Sequence, residues 1–142
     1  MSKKSFPIGE VARRTGVKVP TIRYYEGIGL LPAPPRTEGN RRVYHDRDLA
    51  RLAFIRHARE LGFEVDAIRT LLCLQDHPEQ SCAAADAIAR ARLAEVEQRI
   101  TRLSALKAEL QRMVDHCATG RVSGCRVIET LADSTHNHGA LT

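Results

Sequence analysis

Tryptophan is absent from this 142-residue chain, and aromatic residues make up only 4% of it. So small an aromatic inventory, beside abundant Ala, Leu and Arg, points to helices. Long apolar runs are missing too. None approaches the roughly 18 residues of a membrane span, which argues against a membrane protein. The opening MSKKSFPIGE lacks the apolar stretch of a secretory signal, so the chain is expected in the cytoplasm. There, Cys73, Cys82, Cys117 and Cys125 are thiols or metal ligands sooner than disulfides. The length excludes large catalytic folds such as the eightfold α/β barrel, which needs about 200 residues. No P-loop, dinucleotide glycine pattern or Ser/His/Asp arrangement is found, so no enzyme is expected.

What the chain does have is an uneven charge. Residues 1–72 hold 14 Lys/Arg against 8 Asp/Glu, whereas residues 73–142 hold 8 against 9. The formal net charge of +5 therefore comes from the first half. A basic front half suits a polyanion, nucleic acid first.

The local patterns agree. Ile8, Val11 and Ala12 give one apolar helix face that ends at Thr15-Gly16, where glycine supplies a turn. Pro20 suits the first turn of a second helix running through Thr21–Glu26. Two short helices joined by a tight Gly-containing turn read as helix-turn-helix. Leu31-Pro32-Ala33-Pro34-Pro35 cannot be helical. It leads to Arg36–Tyr44, where Gly39-Asn40 between basic residues predicts a small β-hairpin, or wing, with two to three residues per strand. A third helix is expected from about Asp46 until Gly62, and a fourth from Val65 to Leu74, broken at His77-Pro78.

Beyond Ser81, a good N-cap, no Pro or Gly occurs until Gly120. Leu93, Val96, Ile100, Leu103, Lys107, Leu110 and Val114 recur in alternating steps of three and four, a heptad stripe. A helix so long has no core of its own, and the simplest partner is a second copy of the chain. Gly120 and Gly124 mark a loop, followed by a short helix over Arg126–Ala132 and a polar tail, Asp133–Thr142, expected to be disordered.

The run IGEVARRTGVKVPTIRYYEGIGLLPAPPRTEGNRRVY, followed by FIRHARELGF, closely resembles the MerR family of bacterial transcription regulators. The resemblance covers about residues 6–132. It implies a mainly α architecture: a winged helix-turn-helix DNA-binding domain (1–75), a long antiparallel dimerisation helix (81–117), and a C-terminal metal-binding loop with a short helix (117–132). The cysteine pattern resembles the branch that senses mercury, zinc, cadmium, lead or copper. The resemblance further implies a homodimer on double-stranded promoter DNA. Effector binding there distorts the promoter so that RNA polymerase can use it.

Within this frame, Arg23 on the second helix can reach guanine edges in the major groove, and Tyr24 and Tyr25 can donate to phosphates. The two tyrosines lie about 100° apart on a helix, so one of them can be core. Arg36, Arg41, Arg42 and Tyr44 of the wing are candidate phosphate contacts.

Cys82 and Cys117 stand 35 residues apart, or about 52 Å along one helix. Metal–sulfur bonds are about 2.3 Å for zinc, so one straight helix cannot bring them to one ion. An antiparallel dimer does, placing Cys82 from the partner subunit beside Cys117 and Cys125. Three thiolates suit a soft or borderline divalent ion: Cd, Pb or Hg, or Zn if a fourth donor joins. His116 is the adjacent possible auxiliary ligand, and His136 and His138 lie in the tail. Cys73, among Leu71, Leu72 and Leu74, is expected in the core. The Cys-x7-Cys spacing of Cys117 and Cys125 keeps a Cu(I)-responsive regulator open, and a thiol-redox regulator is the other alternative. A thiol oxidoreductase would want a Cys-x-x-Cys on a βαβ pattern, which this chain lacks.

Overall fold

The computed structural model describes residues 5–39, 41–116, 120–133 and 135. The chain divides into two compact units, Met1–Ala89 and Arg90–Thr142.

The first unit begins with strand β1 (Ser5–Phe6) and helix α1 (Ile8–Thr15). Val11 and Thr15 are the residues that α1 buries, one helical turn apart on a single face. Thr15 closes the helix by donating its hydroxyl to the Val11 carbonyl at 2.7 Å and accepting the Val17 N–H at 3.2 Å. Gly16, at φ 75°, then turns the chain, a left-handed conformation that glycine adopts without steric cost. Helix α2 (Val19–Gly27) follows, with Pro20 in its first turn, and buries Ile22 and Tyr25.

Strand β2 (Tyr44–His45) runs antiparallel to β1, with Phe6 opposite Tyr44. This pairing across the wing has no counterpart in the sequence pattern, because two-residue strands carry no periodic signal. Helix α3 (Asp46–Glu60) opens on a capping box. The His45 ring accepts the Asp48 backbone N–H, and the buried Asp48 carboxylate accepts the His45 N–H at 2.9 Å. Helix α4 (Val65–Gln75) buries Ile68 and Leu72. Arg51 of α3 ties this unit together. Its Nε donates to the Leu30 carbonyl at 2.9 Å and its Nη1 lies 3.3 Å from the Asp76 carboxylate at the end of α4. Val11, Ile22, Leu52, Ile55 and Ile68 are fully buried at the centre.

The predicted wing hairpin is present with less ladder than expected. It consists of a single antiparallel bridge, Arg36 to Arg42, flanked by Thr37 N–H to Arg41 carbonyl (2.8 Å) and Val43 N–H to Pro35 carbonyl (3.0 Å). Pro34 and Pro35 lack the N–H groups that would extend it.

Helix α5 (Ala83–Asp115) is 33 residues long. The Ser81 hydroxyl accepts the Ala83 N–H at 3.2 Å, as a start signal should. Along the heptad stripe Leu93, Ile100, Leu103, Leu110 and Val114 are all at least half exposed in the single chain. A single 3-10 turn (Val122–Gly124) precedes helix α6 (Arg126–Ala132). Among the described residues no helix is long and apolar enough to cross a membrane. Most of the tail lies outside the described residues.

Candidate nucleic-acid interface and thiol site

Not every cation of the basic half is available to a ligand. Glu10 on α1 accepts from both Arg13 and Arg14, and these bonds hold its carboxyl well below the usual range, at about 2. Arg14 also lies over the Phe6 ring, 4.4 Å from its centroid. The single Glu10 carboxylate offsets one of the two arginine charges and leaves this face of α1 net positive.

Helix α2 presents a different face. Arg23 and Tyr24 are exposed, Tyr24 by 56%. Tyr25 is only 8% exposed, so the choice between the adjacent tyrosines is settled: Tyr25 packs in the core and Tyr24 is presented. The expectation of a phosphate contact from each is corrected on that ground. An α-helix turns about 100° per residue, and the buried side of α2 is the one that Ile22 and Tyr25 share, three residues apart.

Sequence reasoning missed the cations beside α2. Lys18, Thr21, Tyr25, Arg56, Arg59 and Glu60 line a shallow cleft of about 400 Å³, in which Glu60 lies 3.5 Å from Arg56 and Arg59 donates to the Phe63 carbonyl at 3.0 Å. Arg56 and Arg59 come from α3, some 35 residues further along the chain, so no local motif announces them. Their spacing in FIRHARELGF was the available signal.

The wing residues divide. Arg41 is exposed, and Arg36 is exposed at the strand bridge. Tyr44 is the clear correction. It has no exposed surface, because β1 pairs with β2 and draws its ring into the core, so it is no phosphate contact. Its hydroxyl donates to the Glu26 carboxylate. Arg42 is also committed: Nη1 donates to the other Glu26 oxygen at 2.9 Å. Burial, and next the Glu26 carboxylate, push the Tyr44 phenol from its ordinary 10.0 up to about 12.

The sign of the resulting pH effect follows from that direction. A phenol whose pKa is raised on folding contributes stability that is complete below about 10 and lost as pH climbs towards 12. Urea unfolding from pH 9 to pH 12 should therefore show wild type losing its advantage over Tyr44→Phe across that window. Parallel pH profiles would defeat the assignment.

Of the thiols, Cys82 is exposed just before α5, and Cys125 is half-buried at the start of α6. Cys117 lies outside the described residues, as do His136 and His138. His116 is exposed, and its Nδ1 is 2.9 Å from the Arg112 carbonyl. A carbonyl only accepts, so Nδ1 is the donor in this contact. Among the described residues no three metal-donor side chains converge within the chain. Cys73 is a third correction. It is exposed, one position on from buried Leu72 and so on another face of α4. Cys73→Ser should change unfolding free energy by less than about 0.5 kcal/mol, and a loss above 2 kcal/mol would show a hidden packing role.

This architecture matches known proteins over most of its length. A model described as "MerR HTH family regulatory protein" matches residues 6–74, and one described as "MerR, DNA binding" matches residues 49–113. The HTH-type transcriptional regulator ZntR of Escherichia coli K12 is 43% identical over 129 residues, covering 89% of this chain and 92% of that protein. The chain belongs to the MerR family. It is a DNA-binding transcription regulator and not an enzyme. Two MerR-family crystal structures share the fold. PbrR691 of Ralstonia metallidurans CH34, in complex with lead(II), is 38% identical at TM-score 0.75, covering 89% of this chain and 99% of that one. The regulator MerR of Bacillus megaterium MB1, in complex with mercury(II), is 30% identical at TM-score 0.68, covering 90% and all of the other.

Proposed function

We propose that this MerR-family protein is a metal-responsive activator, working in the cytoplasm as a homodimer on promoter DNA. The observation that carries this reading is the length of α5. Its 33 residues span about 50 Å, with Cys82 before its start and Cys117-x7-Cys125 after its end. Thiols so far apart along one rigid helix meet only if a second copy lies antiparallel. The exposed apolar stripe of α5 is the surface such a copy would cover.

The donor set fits a soft or borderline divalent ion: Cys82 from one subunit, Cys117 and Cys125 from the other. His116, with its Nδ1–H tied to a carbonyl, would add its Nε2 nitrogen, an arrangement common in metal-bound histidines. These thiolates would hold the ion across the subunit interface, and the charge they would supply suits a soft divalent cation. The related structures holding lead(II) and mercury(II) support this class of ligand.

On DNA, Arg23 and Tyr24 of α2 face the major groove, with Lys18, Arg56, Arg59, Arg36 and Arg41 towards phosphates. Bending and untwisting a promoter costs about 1–6 kcal/mol. Subunits held together through these thiolates would favour the dimer geometry that keeps DNA in the form RNA polymerase can use.

The test is a metal titration of the reduced protein, scored by promoter output in vitro and by thiolate-to-metal absorption, across Zn, Cd, Pb, Hg and Cu(I). Absence of both responses for every ion would overturn the reading. A second reading, Cu(I) sensing through Cys117 and Cys125 alone, is favoured by their x7 spacing. It predicts a response to Cu(I) only.

A further inference from the structure

We infer that Glu26 is a positioning residue for DNA binding: its carboxylate locks the wing to the recognition helix, and Arg42 acts through it instead of on a phosphate. Glu26 sits in the last turn of α2 with its side chain only 8% exposed. It receives two donors, the Arg42 guanidinium at 2.9 Å and the Tyr44 hydroxyl, both from the segment leaving the wing. A carboxylate this buried demands a cation and hydrogen bonds, so the three groups form one unit.

Among the described residues the wing's backbone ladder is short, one bridge with a hydrogen bond on each side. So short a hairpin is marginal alone. Arg23 and Tyr24 lie on the same helix as Glu26, while Arg36 and Arg41 lie in the wing. The Glu26 network therefore sets the spacing between two surfaces that must meet DNA together. Tyr44 provides the decisive probe. Its side chain has no exposed surface, so its hydroxyl can influence DNA affinity only through the groups it meets inside the fold, Glu26 and the Arg42 bound to it.

The full-length protein would be titrated onto a duplex selected with the wild-type chain from a random-sequence pool, at several salt concentrations. Tyr44→Phe, Glu26→Gln and Arg42→Met should each weaken binding by about tenfold. Each should also leave the log–log salt slope unchanged within about 0.3. Glu26→Leu combined with Arg42→Met should lose less than the product of Glu26→Leu and Arg42→Met separately, because no orphaned charge remains. Hydroxyl-radical footprints should lose protection at the wing-facing backbone and keep it in the groove read by α2. Circular dichroism and thermal melting establish that each variant is folded. If Glu26→Leu does not fold, the near-isosteric Tyr44→Phe and Glu26→Gln decide the matter. Unchanged affinity in Tyr44→Phe overturns the proposal. So does a slope lowered by about 0.9 in Arg42→Met, the mark of a lost phosphate contact. Uniform loss of the footprint would show a merely structural role and overturn it as well.

Discussion

Cys82→Ser is expected to abolish activation by divalent ions while DNA binding by the metal-free protein stays within about twofold of wild type. The hydroxyl is a far poorer ligand than a thiolate for soft and borderline ions. Cys82 also lies far along the chain from the DNA-facing residues, which end before position 60, and it is exposed, so its loss opens no cavity. Cys117 and Cys125 would remain as a two-sulfur pair, and the variant should keep or gain a response to Cu(I). Coexpressing Cys82→Ser with Cys117→Ser subunits sharpens the test. In the mixed dimer one site lacks both thiols and the other is intact. Equilibrium dialysis should find one divalent ion per mixed dimer. If none binds, Cys82 and Cys117 do not belong to one intersubunit site.

Leu103→Asp should turn the protein into a monomer and cost most of its operator affinity. Leu103 is 55% exposed in the single chain, so a charge there leaves the chain's own core intact. In an antiparallel pair that sets Cys82 against Cys117, paired positions sum to about 199, and Leu103 meets Val96 of the partner subunit. Symmetry then buries two carboxylates against apolar surface. The dimer dissociation constant should rise by at least about a hundredfold, or about 2.7 kcal/mol. Affinity for DNA with two half-sites falls with it, because each monomer holds only one. Light scattering across concentration, with anisotropy on the same samples, provides the measurement. A dimer that persists at micromolar concentration would remove this face from the interface.

The α-helices were legible because their signals are local. Apolar spacing, Pro20 at a helix start, Gly16 and Gly62 at helix ends, and the absence of Pro and Gly along α5 placed every α-helix within about two residues. The wing was legible as a turn but not as a ladder, since Pro34 and Pro35 remove donors that a hairpin would use. The candidate DNA face was legible in composition and less so in residue roles. Arg23 and Tyr24 are exposed on α2, whereas Tyr44 looked outward on sequence and turns inward in the fold, and Arg42, a third exposed, directs one donor to Glu26. Glu26 stood within the run that carries the family resemblance, without an evident task.

Sequence alone thus determined what depends on near neighbours: helix positions, the basic front half, the family, and the spacing of Cys82, Cys117 and Cys125 along a helix too long to fold back. The tertiary structure decided what depends on residues distant in the chain. Pairing of Phe6 with Tyr44 carried a tyrosine into the core. Contact across 16 residues gave Arg42 to Glu26. The approach of α3 to α2 gathered Lys18, Arg56 and Arg59 around one cleft. The reason is physical. A charge or hydroxyl is written identically whether it meets water, DNA or a buried carboxylate, and only the packed chain fixes which partner is within hydrogen-bond reach.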